Sequence, residues 1–566
     1  MENHKSIYDK LGDERKELQE KGLLPEWVTT PSYQILKEKY LEEGESLFLR
    51  FDTIAKILGS YMPDKYSWQL KFFNLLWNGY LAASTPVLAN IGRSKGCPVS
   101  CASGTVDDSV YGFYESAKET AILSKNGFGT SSFLGDIRPR GTEISGMRGS
   151  ASGVLPVFKQ HVQVAKDITQ GNRRGAWAGY LPIDHPDFYE VINFINKEPD
   201  DANIGWTVSE DFINRLNSGD KDAVERYQKA LKIKMVHGKG YFWFNDKVTG
   251  LLPIYYKNKG LVNKGSNLCN ETVPVLQEDE TYTCVLSSLN LSMYPKWEET
   301  QTIFESFVFL HCVALHFLDI AKDIKGLEKA VNYTRNHMSI GLGTLGWATY
   351  LQDKNIPFES IDAHYENVNI FTKINNETIR ASRYLASIFG EAPVAKGSGM
   401  ANALRIAIAP NLTSALICGG VSQGIEPIYK NAYMQSTAAG KMVRVNPSLL
   451  KVMKDKGVYS NKAIKDIIDD NGSVQGVDWL TDHEKEVFKT AFEIDQRAII
   501  RLASTRQRYI DQGQSINLFF SANEDEAYIS SVHRLAFEDP YIKGLYYIRS
   551  ETGLPVNKQE CVACHG

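Results

Sequence analysis

From about residue 84 to residue 430, short apolar runs punctuated by glycine alternate with stretches of helical period such as 303–323 and 367–385. No other feature restricts the fold as much. The alternation predicts βα units around a sheet or barrel, an α/β fold. In residues 1–83 apolar positions recur three and four apart, as in 33–40 and 68–77, which predicts a helical lead-in. Residues 458–482 are polar and read as a surface excursion followed by a helix over 483–503; beyond Gly553 the chain lacks core-forming residues and a mobile end is expected. With 566 residues, 43% of them hydrophobic and 23% charged, the chain can bury a large core and is not broadly disordered.

Charge and cysteine usage exclude several function classes. A net charge of −4, from 63 basic and 67 acidic residues, gives no electrostatic case for binding a nucleic acid polymer. The N-terminus has no apolar signal core, and no run reads as a membrane span, so a cytoplasmic protein that does not engage a membrane is expected. The eight cysteines, at 97, 101, 269, 284, 312, 418, 561 and 564, are too few and too dispersed for a secreted disulfide scaffold. Clusters among them point to catalysis or metal binding.

Asn267, Cys269 and Glu271 alternate in the stretch 266–271, so an extended backbone or a loop tip would aim an amide, a thiol and a carboxylate into one volume. That set suits hydrogen abstraction by a thiyl radical while the carboxylate manages hydroxyl protons. The segment resembles the active-site loop of ribonucleotide reductases. Further segments follow the same family in its order: Ser84-Thr85-Pro86, the 96–101 stretch with Cys97 and Cys101, Cys284, Pro410-Asn411-Leu412-Thr413-Ser414, and Tyr546-Tyr547 ahead of Cys561-x-x-Cys564.

Together, residues 84–564 resemble the large catalytic α subunit of a class I ribonucleoside-diphosphate reductase, in a form without the N-terminal ATP-binding domain. The resemblance implies a ten-stranded α/β barrel with a central finger loop over 84–545, preceded by the helical region 1–83 and followed by radical-transfer tyrosines and a redox tail over 546–566. It implies that Cys269 carries the radical, that Glu271 and Asn267 handle the sugar, and that Cys101 and Cys284 form the redox pair, with Cys97 the alternative to Cys101. Tyr546 and Tyr547 would relay the radical, and Cys561 and Cys564 would reduce the pair. Ser84, Thr85 and 410–414 would hold substrate, the latter as a phosphate loop at a helix start.

Asp108, Ser109, Lys125, Arg138, Ile144 and Arg174 resemble the specificity site, where a deoxynucleoside triphosphate or ATP acts as effector. The expected partners are a ferritin-like radical-generating β subunit that houses the metal-dependent radical, thioredoxin or glutaredoxin, nucleoside diphosphate substrates, and a second copy of the chain in a homodimer; this chain itself is expected to bind no metal or cofactor. Zinc at Cys-x-x-Cys-His would need a second ligand pair, and none is evident in the sequence. The rivals are a cobalamin-dependent reductase, which the tyrosine pair disfavours, a glycyl-radical enzyme, and a non-catalytic nucleotide-binding regulator.

Overall fold

The computed structural model describes residues 7–146, 148–170, 173–199, 203–437 and 440–550. Cys561 and Cys564 therefore lie outside the described residues. The described residues of the lead-in form four helices, α1 (Ile7–Glu20), α2 (Thr30–Lys39), α3 (Leu47–Gly59) and α4 (Lys65–Trp77). Side-chain caps start three of them: Thr29 accepts from Ser32 N, Ser46 from Leu49 N and Asp64 from Ser67 N.

Fifteen strands follow among the described residues: β1 (Leu81–Ala83), β2 (Cys101–Thr105), β3 (Gly129–Phe133), β4 (Thr169–Gln170), β5 (Arg173–Arg174), β6 (Trp177–Pro182), β7 (Asn203–Thr207), β8 (Tyr241–Trp243), β9 (Tyr282–Asn290), β10 (Ile340–Leu345), β11 (Ala432–Thr437), β12 (Gly440–Val445), β13 (Leu518–Phe520), β14 (Gly544–Leu545) and β15 (Ile548–Ser550). Regular ladders join nine of them into one mixed sheet, in the order β1-β9-β2-β3-β6-β7-β8-β14 with β10 also on β9. Backbone hydrogen bonds then close the circle. The segment 544–550 bonds to 516–520 through Tyr546 N to Ile516 O and the parallel β13–β15 pair. Residues 512–515 bond to 406–408, and β10 donates to Leu404 O and Arg405 O. The ring β9, β2, β3, β6, β7, β8, 544–550, 512–520, 404–408 and β10 thus has the expected ten positions, with β1 an extra strand on β9.

The period-two alternation separates two cores. Trp177, Leu181, Phe242, Val285 and Leu289 face outward into the core shared with the surrounding helices, whereas Ala178, Tyr180, Tyr241, Trp243, Tyr282, Cys284 and Leu286 pack inside the barrel. The helix Thr302–Ala321 is the one described helix with the length and apolar character of a membrane span, which the sequence reading missed. It packs against α3, α4, β9, β10 and the helix Ile361–Phe389, so its apolar surface belongs to the core.

Three boundaries differ from expectation. The sheet starts at Leu81, because residues 81–83 pair antiparallel with Leu289, Ser288 and Ser287. Residues 546–550 belong to the barrel wall, since β15 pairs with β13. The expected 483–503 helix is two helices, Asp482–Val487 and Gln496–Gln507, because Asp495 caps a new start by accepting from Arg497 N. The 458–482 excursion is also less polar in space than in sequence. Its helix Asn461–Asp469 buries Ile464 and Ile467 in a satellite core with Leu449, Met453 and Phe488.

Candidate active site

The loop between β8 and β9 enters the barrel and reverses in a tight turn at Asn267–Asn270, closed by Asn270 N to Asn267 O at 3.2 Å. Asn270 takes φ 65°, a left-handed conformation that asparagine tolerates. The tip is therefore a turn and not an extended strand. The Asn267 side chain organises it: Oδ1 accepts from Glu271 N at 3.0 Å and Thr272 N at 3.1 Å, while Nδ2 donates to Glu271 Oε1 at 2.9 Å and to Cys101 Sγ at 3.2 Å. One amide thus touches both the carboxylate and a thiol of another strand.

The second thiol pair is set by register. In the antiparallel β2–β9 pair, Cys101 lies directly opposite Cys284. Directly opposed residues have Cβ atoms roughly 4.5–5.5 Å apart, within small adjustment of a disulfide. Cys97 belongs to the outer core, away from this volume, and burial pushes its thiol up to about 12. In the described geometry Cys101, not Cys97, stands opposite Cys284. Cys269 is fully buried in the same inner cluster as both.

Residues that the motifs did not single out hold the turn. Ser515 Oγ donates to Cys269 O at 2.6 Å and approaches Glu271 Oε2 at 3.2 Å, and Gly513 N donates to Glu271 O at 2.7 Å. Tyr180 OH donates to Asn267 O at 2.7 Å and approaches Asn270 Oδ1 at 3.1 Å. The Tyr180 ring lies over Gly205, where a Cβ would come within 2.2 Å of it. A serine hydroxyl bonding a backbone carbonyl leaves no sequence signal.

Tyr546 and Tyr547 pack with ring centroids 4.0 Å apart, and both rings contact Tyr241, at 4.9 and 5.4 Å. Tyr241 OH donates to Tyr547 OH at 3.2 Å. The pair is thus a triad, and Tyr241 was missed because it stands some three hundred residues earlier in the chain. Burial pushes the Tyr547 phenol above its ordinary range, with the Cys269 sulfur among the groups that add to the shift.

The candidate substrate residues line the far half of β9. Ser84 N donates to Ser287 Oγ at 3.1 Å, and its own hydroxyl is buried with no partner among the described residues. Thr85 Oγ1 shares a hydrogen bond with Tyr40 OH at 2.9 Å. Asn411 sits at φ 62° and its Nδ2 donates to Ser288 Oγ, Thr344 O and Ala409 O, so its amide anchors the loop. Pro410 precedes it, and Leu412, Thr413 and Ser414 open the short helix Leu412–Ile417. A cavity of about 660 Å³ lies behind that helix, and one of about 220 Å³ meets Ser266 and Tyr180 at the root of the turn.

The candidate effector residues divide. Asp108 pairs with Arg138, and Ser109 caps the helix Val110–Lys125 by accepting from Gly112 N at 2.9 Å. Ile144 lies on the loop that follows Arg138, where its N–H meets Gly149 O. Lys125, however, ends that 16-residue helix, about 24 Å from Ser109 at 1.5 Å per residue. Within one chain it stands apart from the Asp108 cluster. Arg174 lies in the short β4–β5 hairpin.

Comparisons with known proteins point to one family. Residues 99–225, 220–396 and 393–548 match the family described as ribonucleotide reductase, barrel domain. The chain is 33% identical over 573 residues to a putative ribonucleoside-diphosphate reductase large subunit of Frog virus 3 (isolate Goorha), covering 95% of this chain and 99% of that one. It is 28% identical to the ribonucleoside-diphosphate reductase large subunit of Danio rerio, covering 86% and 70%. The solved class Id ribonucleotide reductase alpha subunit of Actinobacillus ureae superposes with a TM-score of 0.86 at 33% identity, covering 93% of this chain and 98% of that one.

Proposed function

The chain belongs to the ribonucleotide reductase large-subunit family, and we propose that it reduces ribonucleoside diphosphates to 2′-deoxyribonucleoside diphosphates at the Cys269 turn. One observation carries this reading: the Asn267 amide joins Glu271 to Cys101, whose register partner is Cys284, within one turn of Cys269. Along β9 the four residue steps from Cys284 to Ser288 span about 13 Å. That length suits a sugar at the thiols and phosphates near Ser84 and the 410–414 loop.

In the proposed course, an oxidising equivalent supplied by a radical-generating β subunit passes through Tyr547 and Tyr546 to Cys269. The Cys269 thiyl takes the 3′ hydrogen atom, Glu271 takes the 3′-hydroxyl proton, and Asn267 holds the sugar. The 2′-hydroxyl leaves as water with a proton from the Cys101–Cys284 pair, and the pair's second hydrogen goes to C2′. Cys101 and Cys284 thereby give two electrons in all and close a disulfide, Glu271 returns its proton to the 3′ oxygen, and Cys269 returns its hydrogen to C3′. Cys561 and Cys564 then reduce the pair and are themselves regenerated by thioredoxin or glutaredoxin.

An effector nucleotide at Asp108, Ser109, Arg138, Ile144 and Arg174 selects the substrate, next to a homodimer contact. The enzyme works in the cytoplasm. The test is CDP reduction with candidate β subunits and dithiothreitol. The C269S variant should bind CDP normally and produce no dCDP, and measurable turnover by C269S would end the assignment.

A further inference from the structure

The helix Lys221–His237 ends beside the tyrosines of the proposed relay. Gly238 closes it at φ 72°, with its N–H on Lys234 O at 2.9 Å, and the chain enters β8 at Tyr241. β14 pairs antiparallel with β8, Gly544 opposite Trp243 and Leu545 opposite Phe242, and the ladder stops there. One more step of that register would set Tyr546 opposite Tyr241, and the two rings are in contact, their centroids 4.9 Å apart. Just past the ladder's end the Lys234 side chain joins the two backbones: Nζ donates to Gly240 O at 3.1 Å and to Tyr546 O.

An amine at this point has a physical reason. Two carbonyl oxygens, one from each segment, cannot bond one another, whereas an ammonium carries three donors and can serve both. The helix end itself does not need it, since Gly238 N already closes the last turn. Lys234 is fully buried, and burial pulls its pKa well below the usual 10.5, so holding the amine here is costly. The other backbone bonds of the pair run to 516–518: Tyr546 N donates to Ile516 O at 2.8 Å, Tyr547 N to Asn517 Oδ1 at 3.0 Å, and Leu518 N to Tyr547 O at 3.0 Å. Lys234 ties Tyr546 in the opposite direction, to the residue that precedes Tyr241.

We propose that Lys234 is a positioning residue for the radical relay: by bridging Gly240 O and Tyr546 O it holds Tyr241 against the Tyr546–Tyr547 pair and so fixes the path toward Cys269. This rests on the reductase reading above. The three rings meet at 4.0, 4.9 and 5.4 Å, and Tyr241 OH reaches Tyr547 OH at 3.2 Å. Without the amine the two carbonyls lose their shared donor where the strand ladder has already ended, and Tyr546 is free to shift away from Tyr241. The turn that carries Cys269 is held by Ser515, Gly513 and Tyr180, none of which Lys234 touches, so the sugar and thiol end of the site keeps its own supports.

The test separates the relay from binding. Pre-reduced holoenzyme is given CDP and effector, single-turnover dCDP is timed, and CDP and effector affinities are measured by equilibrium dialysis. K234M, which keeps the length of the side chain without its donors, should form dCDP about 100-fold more slowly, with both dissociation constants within twofold of the wild type. K234R, which keeps the donors, should regain at least a tenth of the wild-type rate; if it does not fold, the split between rate and binding in K234M decides. K234Q, whose shorter amide cannot span both carbonyls, replaces K234M if that variant does not fold. A wild-type rate in K234M overturns the proposal, as does a folded K234R as slow as K234M. Loss of CDP or effector binding in step with the rate, or failure of both K234M and K234Q to fold, overturns it too, by making Lys234 a general support of the barrel. Absence of product from the wild type would instead defeat the reductase reading.

Discussion

Replacing Ser515 with alanine tests how the catalytic turn is held. The hydroxyl donates to Cys269 O at 2.6 Å and stands 3.2 Å from Glu271 Oε2, all three residues being buried. The hydroxyl has one hydrogen, committed to the Cys269 carbonyl, and a buried acceptor left without its partner costs about 1–3 kcal/mol, so S515A should lose about 2 kcal/mol of stability. That is a large share of the roughly 5–15 kcal/mol typical of folded proteins. The turn stays tethered by Gly513 N and Tyr180 OH, so the variant should fold. Its Cys269 carbonyl and Glu271 carboxylate are left free to drift, and an ångström of misplacement can cost on the order of 100-fold in rate. Urea denaturation of both proteins at pH 7 measures the first effect and CDP turnover with saturating effector the second. A stability loss under about 0.5 kcal/mol together with full turnover would refute the reasoning.

Two further outcomes follow from the same geometry. Y547F keeps the stack on Tyr546 and Tyr241 but removes the hydroxyl that Tyr241 bonds, so turnover should fall below detection while CDP and effector binding stay within twofold by equilibrium dialysis; turnover near the wild-type rate would remove Tyr547 from the relay. Lys543 is buried with its Nζ on Asp511 O and Gln512 O, and burial pulls it down to about 8 from the usual 10.5, Asp511 offsetting only part of the shift. Between those two values the unfolded chain binds the extra proton, so the lysine's destabilising contribution fades as pH rises. The stability of the wild type relative to K543M should therefore climb by about 1 kcal/mol from pH 8.5 to 9.5, and a flat or falling difference in urea unfolding would contradict this.

The sequence carried the barrel and the thiols for identifiable reasons. Inward and outward positions of β6, β8 and β9 follow period two, and the Asn267, Cys269 and Glu271 types are chemically distinctive. Its boundaries slipped where pairing partners decide the outcome: residues 81–83 and 548–550 are strands because β9 and β13 accept them, which no local pattern encodes. Lys125 was grouped with Asp108 by the family resemblance, and an unbroken helix carries it away within one chain. Tyr241, Tyr180 and Ser515 stayed hidden because their roles come from contacts across long stretches of chain. A phenol that bonds a turn reads the same, in sequence, as one that fills a core.

Mapping the disulfide formed in a single turnover tests the central claim most directly. Pre-reduced holoenzyme is given CDP and effector without reductant, quenched, alkylated and analysed by peptide mass spectrometry alongside C269S. The account predicts dCDP and a Cys101–Cys284 disulfide in equal amounts from the wild type, and neither from C269S. A bond from Cys284 to Cys97, or dCDP from C269S, would contradict it.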